Sequence, residues 1–306
     1  MKNIQLYPAK TLVFPNDSFA KRLFNLTEDD YRQALEERKI VEVNEKRKFK
    51  NFGDVFTPFR IRVDDQNNFT LSEPLEQFHF AVLCACISEW NAGNRYTTPS
   101  IIYRAITGKI ARGDAEPSKD QLADILVAID KLMRTQIAVN MTKPCENLKY
   151  NGGNAYKIIS AILPAKRVTE TTINGKETTI ISFDRESPVW EITADVKNNQ
   201  VLSCDATLLN VPNQQNTHMN IAVKTYILRR ALEIIAHSKQ MVPIITFADV
   251  FKKCRLEKIN RDKKYDVRKT ILIFFEHLKT QGLVEDFQLN KRGPSPYSVS
   301  FTLPEK

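Results

Sequence analysis

Residues 270–286 read TILIFFEHLKTQGLVED, and residues 124–140 read DILVAIDKLMRTQIAVN. Both place an acid five residues after an Ile (Glu276 after Ile271, Asp130 after Ile125) and a Leu two residues after the acid. Both then pass from helical spacing into a short apolar run. Aligning Ile125 with Ile271 needs no gap through Leu132 and Leu278 to Ile137 and Leu283. Upstream, aligning Thr98 with Thr246 pairs Tyr103 with Phe251, the intervening loop being two residues shorter in the second copy. Ordered matches across three elements predict an internal duplication.

Working outward, each half reads as helix, short helix, long helix and two strands. In the first, SEPLEQFHFAVLCACISEWNAG has Leu75, Phe78, Val82, Ala85 and Ile87 near helical spacing, with Gly93 as terminator. Thr98 and Pro99 open the next helix and Gly108 closes it. Ser118 and Gln121 form a capping box for a helix whose core stripe is Leu122, Ile125, Ile129 and Leu132. QIAVNM and AYKIISAIL then read as strands, and Asn174-Gly175 marks a further hairpin over 168–183. In the second half, MNIAVKTYILRRALEIIAHS, TFADVFKKC and DKKYDVRKTILIFFEHLKTQ are helices, with Thr246 and Asp249 capping the second. LVEDFQL and YSVSFTL are strands joined by NKRGPSP. A helical hairpin feeding a β-hairpin is the order of a winged-helix unit. The expected fold is therefore α+β: an N-terminal extension (1–71), a winged helix with an enlarged wing (72–195), a linker (196–215) and a second winged helix (216–306). Within the extension, Thr27 and Asp30 predict a helix over 28–39, EKRKFK (45–50) is a basic run, and FRIRV (59–63) alternates like a strand.

A helix docked on a duplex needs one apolar face for the core and one polar or basic face for DNA. At about 100° per residue, Val267, Ile271, Phe274 and Leu278 share one side of the long second helix, with Tyr265 and Lys269 nearly opposite. Lys263, Lys264 and Arg268 lie in or near its first two turns. From Lys252 to Lys269 there are nine Lys or Arg against three Asp or Glu, which is 9 − 3 = +6 of the chain's net +9. Lys252, Lys253 and Arg255 belong to this run, and Lys291 and Arg292 stand at the predicted wing tip. The first half is balanced, with five basic and five acidic residues from Arg112 to Lys143. It offers Lys119, Gln121 and Arg134 to DNA, or serves dimerisation or a partner. Trp90, Tyr96 and Tyr103 read as core. With 306 residues the chain has room for two recognition helices in successive major grooves. Neutralising ~6–8 phosphates gives a slope of log affinity on log salt near −6.

The entry helix LEQFHFAVLCACISEW, the unit TTPSIIYRAITGK…LADILVAIDKLMRTQIAV and the second unit ending FFEHLKTQGLVEDFQL resemble the replication initiators of iteron-containing, theta-replicating plasmids, over residues 72–303. The resemblance implies that the C-terminal winged helix makes the main contact with repeated origin sites. The N-terminal one would add dimerisation and further DNA contact, and the host initiator and replicative helicase would be recruited. It places the base-reading role on Lys263, Lys264, Tyr265, Arg268 and Lys269.

Other chemistry finds no pattern. ITGK lacks the spacing and the Ser or Thr of a phosphate loop, so ATP-driven action is not expected. The four His (79, 218, 237, 277) form no H-x-H pair for a nicking metal, and His79 reads as a core or rim residue. Cys84 and Cys86, two apart on a helix, are poor zinc ligands and read as small buried thiols. No enzyme activity, cofactor or metal is expected. The start MKNIQLYPAKTLVF lacks the apolar core of a secretory signal, and no run reaches the ~18 apolar residues of a membrane span, so a cytoplasmic protein is expected. A transcriptional repressor on the same fold, or a protein–protein scaffold, remains an alternative to the initiator.

Overall fold

The computed structural model describes residues 8–24, 69–71, 75–111, 113–114, 116–140, 157–171, 177–196, 200–293 and 295–304. The predicted helix over 28–39, the basic run at 45–50, the strand at 59–63 and the Asn174-Gly175 turn lie outside them. In chain order the elements are β1 (Thr11–Pro15), α1 (Ser18–Leu23), β2 (Phe69–Leu71), α2 (Gln77–Asn91), β3 (Tyr96–Thr97), α3 (Pro99–Thr107) and α4 (Lys119–Arg134). There follow β4 (Gln136–Asn140), β5 (Lys157–Ala161), β6 (Ala165–Thr171), β7 (Glu177–Phe183), α5 (Pro188–Glu191) and β8 (Val201–Asp205). The chain ends with α6 (His218–Ala236), β9 (Ile244–Thr246), α7 (Phe247–Lys253), α8 (Arg261–Thr280), β10 (Asp286–Arg292) and β11 (Ser295–Thr302). The fold is α+β, with helices and small antiparallel sheets.

The chain forms two compact units: residues 1–14, 76–125 and 202–306 in one, 15–75 and 126–201 in the other. The dividing line at 125/126 falls inside α4.

In the first unit α2 is the central helix. It is apolar nearly all round, and Phe80, Ala81, Val82, Leu83, Cys84, Ala85, Cys86 and Ile87 are all buried, as a helix without a polar face must be. It packs on α6, which in turn packs on α8. Cys84 and Cys86 are free, and burial pushes both thiols up. The predicted caps form. Thr98 accepts from the Ile101 amide at 3.3 Å, and Gln121 and Ser118 cap α4 reciprocally at 2.9 and 3.2 Å. His79 Nδ1 accepts from the Glu76 amide at 3.1 Å, so this histidine closes the first turn of α2. Gly108 has φ 72°, and a Cβ there would stand 2.5 Å from the Asn210 amide nitrogen, so only glycine fits where α3 meets the 206–210 segment. Tyr103 is buried, but Tyr96, expected in the core, is 48% exposed: it lies on a two-residue strand whose alternation turns it outward while Thr97 is buried.

Residues 196–215, expected to be a linker, hold β8 and a 3-10 turn over Ala206–Leu209. β8 pairs with β1, and the Ala206 amide donates to the Lys10 carbonyl at 2.9 Å. At the C-terminal end β10, β11 and β9 form one antiparallel sheet in that order, Val299 opposing Leu289 on one side and Ile245 on the other. The hairpin starts later than the expected 283–289, because residues 281–284 are spent on the helix exit, where Gly282 takes φ 73° and Leu283 bonds back to Leu278.

In the second unit β2, β4 and β5 form an antiparallel sheet with β4 central, and β6 and β7 pair from Ala165↔Phe183 to Thr171↔Glu177. Asp17 is buried and satisfied by the Ala20 amide at 3.1 Å and the Thr193 hydroxyl, which also donates to Val189 O. Ser187 caps α5 and donates to the Ile162 carbonyl at 2.8 Å.

Candidate nucleic-acid interface

The basic segment is carried by α7, a turn over 254–260, and α8. Thr246 caps α7 through the Asp249 amide at 3.0 Å, and Phe247, Val250 and Phe251 anchor the helix in the core. The turn reverses through Arg255, whose φ of 56° is left-handed, and the Leu256 amide returns to Phe251 O at 2.7 Å. Asn260 then starts α8 by accepting from the Lys263 amide at 2.9 Å. Val267, Ile271, Phe274 and Leu278 are sealed, as the helical spacing predicts, joined by Phe275, Thr270 and His277. Phe275 lies against Phe287 and Phe301, at ring distances of 5.7 and 5.6 Å, which seats α8 on β10 and β11.

This seating sorts the cations. Lys252, Lys263 and Lys269 are exposed, as are Lys258 and Arg261 in the same run. Lys253 and Lys264 are half-buried, and Tyr265 is 66% exposed. Arg268 is different: it is half-buried, its guanidinium lies 5.8 Å from the centre of the Phe251 ring, and its Nε is buried without a hydrogen bond. Its site therefore joins α8 to α7 by packing as well as charge. Arg255 is drawn to Glu76 at 3.6 Å. Lys291 and Arg292 are exposed at the end of β10, beside Gly293 at φ 61°. At the other end of α8, Lys279 and Asp286 pair at 2.7 Å, which holds the Asp286 carboxyl below the usual range and the Lys279 amine above it.

The candidates of the first half are not gathered in this way. Lys119 is exposed at the start of α4, but the Gln121 side chain is engaged in the cap of that helix. Arg134 is exposed at its far end, in the second compact unit. Asp124 pairs with His218 Nε2 at 3.0 Å, and the His218 ring stacks on Phe78 at 3.9 Å.

The outward stripe of α8 is less basic than the composition suggests. Taking every third or fourth residue from 262 gives Asp262, Tyr265, Asp266, Lys269, Ile273 and Glu276, one cation among three acids. The basic residues stand at the N-terminal end and on the flanks of this stripe.

Behind the segment lie two buried cations that net charge and spacing did not single out. Arg229 is buried on α6, 5.2 Å from the Phe80 ring centre and 5.9 Å from that of Tyr226, and burial lowers its pKa. Lys224 has no exposed surface and donates to Leu209 O at 3.0 Å and Asn216 Oδ1 at 2.8 Å. Burial pushes its pKa down to about 7, with the Lys109 charge acting in the same direction. A signal was there: Lys224 sits three residues after Ile221 and four before Leu228, on the apolar stripe of its helix.

Among the described residues no group of three or more His, Cys, Asp or Glu is placed to hold a metal ion, and no helix is long and apolar enough to cross a membrane.

No family model and no curated protein matches the chain. Among solved structures it is similar to two crystal structures of domains 2 and 3 of RctB. One is 9% identical, covers 81% of this chain and 90% of that one, and has a TM-score of 0.41. The other is also 9% identical, covers 80% and 90%, and has a TM-score of 0.42. At such identity residues do not map from one chain to the other, and no role is carried across.

Proposed function

We propose that the chain is a non-enzymatic, sequence-specific duplex-DNA-binding protein that initiates replication of a plasmid or mobile element without ATP hydrolysis, through two winged helices. The order α6, β9, α7, α8, β10, β11, with β9 laid on β11, supports a winged helix over 216–306. The order α2, β3, α3, α4, β4, β5 supports a first copy. The second winged helix is the chief DNA reader. Lys263, Lys264, Tyr265, Lys269 and the start of α8 meet the major groove, and Lys291 and Arg292 meet the flanking backbone. The first winged helix serves as the dimerisation surface, and the partners are origin repeats, the host initiator and the replicative helicase.

The single observation that carries this reading is the concentration of six net positive charges on residues 252–269, in a helix–turn–helix whose apolar face is sealed and whose Lys252, Lys263 and Lys269 are exposed. The test is footprinting of the full chain on DNA flanking its own gene. Protection of direct repeats of ~20 base pairs, with a log–log salt slope near −6, is the expected result. Protection of one isolated palindrome favours a repressor. No protection, together with no retention on heparin, favours a scaffold and removes the DNA reading.

A further inference from the structure

Asp266 is an acid of α8 that helix stability does not explain. It is exposed and is the sixth residue of the helix, past the first turn, where an acid benefits from the helix dipole. Asp262, by contrast, lies in that first turn. The two stand at i and i+4, a spacing at which like charges destabilise a helix. Among the described residues no cation lies within ion-pair distance of Asp266; Lys263 and Lys269, three residues either side, both leave it unpaired. Its neighbours on the outward stripe are Asp262, Tyr265, which is 66% exposed, and the exposed Lys269. An exposed acid thus stands beside an exposed aromatic ring, on a segment otherwise carrying surplus positive charge.

A duplex offers such an acid two environments. Beside a phosphate it is repelled. Against a base edge in the major groove a carboxylate accepts a hydrogen bond from an exocyclic amino group, and the N4 amino of cytosine is its usual partner. We propose that Asp266 is a selectivity residue: its carboxylate accepts from a cytosine N4 amino group in the recognised site and opposes every register that presents phosphate or a base acceptor instead. This rests on the reading of α8 as the DNA-contacting helix. It divides the labour on that helix: the flanking cations supply affinity for any duplex, and Asp266 removes that affinity where the base is wrong.

The test uses the full chain and a random-sequence duplex pool. Wild type, Asp266→Ala and Asp266→Asn are each carried through selection and sequencing, then titrated by fluorescence anisotropy against the enriched duplex and a scrambled one. Because Asp266 is exposed and unpaired, and its removal relieves repulsion from Asp262, neither variant should melt below wild type. Wild type should enrich sites with a fixed cytosine that both variants lose at that position alone. The variants should bind the scrambled duplex several-fold more tightly, and the ratio of enriched to scrambled affinity should fall about tenfold or more. Identical base preferences in all three proteins would overturn the assignment and leave the DNA-binding reading standing. A wild-type protein that enriches nothing and ignores duplex would overturn both.

Discussion

Lys224→Met isolates the most unusual charge in the protein. The wild-type amine is fully buried, with two acceptors, Leu209 O and Asn216 Oδ1, and no carboxylate bonded to it. Its pKa falls from 10.5 to about 7 on folding. The unfolded chain therefore binds more protons than the folded one between about pH 7 and 10.5, and this group makes stability rise with pH across that interval. Below about pH 7 the cost of burying the charge is fully present, on the order of 5 kcal/mol, since each tenfold loss of proton affinity corresponds to about 1.4 kcal/mol. Met keeps the unbranched stem and most of its packing, one atom short of the amine, but leaves both acceptors without a donor, which costs about 1–3 kcal/mol each and partly cancels the gain. The difference between the proteins is therefore small at low pH, and its pH dependence is the informative quantity. Between about pH 6 and 8.5 wild type should gain roughly 2 kcal/mol relative to the variant. Urea denaturation of both proteins at the two pH values measures this, and groups that titrate alike in both cancel in the subtraction. The groups facing the amine are Lys109, His277, whose pKa is also lowered by burial, and Tyr103, bonded to Asn216. A stability difference that does not change with pH would refute a buried, easily deprotonated lysine.

Gly108→Ala should destabilise by about 2 kcal/mol or more, from a left-handed backbone together with a Cβ pressed against residues 206, 209 and 210; thermal melting reads it, and an unchanged melting temperature would contradict the seating of that segment. Phe274→Ala, at a site with no exposure, should cost about 3–5 kcal/mol in denaturant titration. Lys269→Ala should weaken duplex binding more than Lys119→Ala and reduce the salt slope by about one, with no change in melting; equal effects would mean that the two halves of the chain are ranked wrongly. Arg268→Ala should lower both binding and melting temperature, since its guanidinium covers Phe251.

The helices were legible because their signals are local. Caps at Thr98, Ser118 and Thr246 and the Val267–Leu278 stripe are set by residues within two turns of one another, and each appears in the structure. The strands of 196–215 and 244–246 were not. β8 exists because β1, nearly 190 residues earlier, supplies its hydrogen bonds, and β9 is three residues long, too short to show an alternation. Side-chain identity also misled where charge and burial part company. Arg268 counts as a surface cation in the sequence, yet its stem and guanidinium lie over an aromatic ring, the ordinary fate of a long side chain at the rim of a core. The azimuth of the core stripe, with Tyr265 and Lys269 opposite it, was legible from the period, but which flanking cation would be drawn onto the core rim was not, because that depends on what packs beside the helix.

The placement of those charges runs against the needs of the helix itself. Amide N–H groups at a helix N-terminus present a partial positive charge, and acids there are worth about 0.3–1 kcal/mol each while cations cost as much. The first four residues of α8 are Arg261, Asp262, Lys263 and Lys264, three cations to one acid. Asn260 caps the helix without adding a counter-charge. A sequence shaped for stability alone would reverse these signs. Set against a polyanion, the same arrangement adds the helix dipole, the free amides and the three side chains with one sign, and what is a cost to the isolated protein becomes attraction in the complex. This opposition between what stabilises α8 and what it carries is the physical argument behind the proposal that an anionic partner meets its N-terminal end.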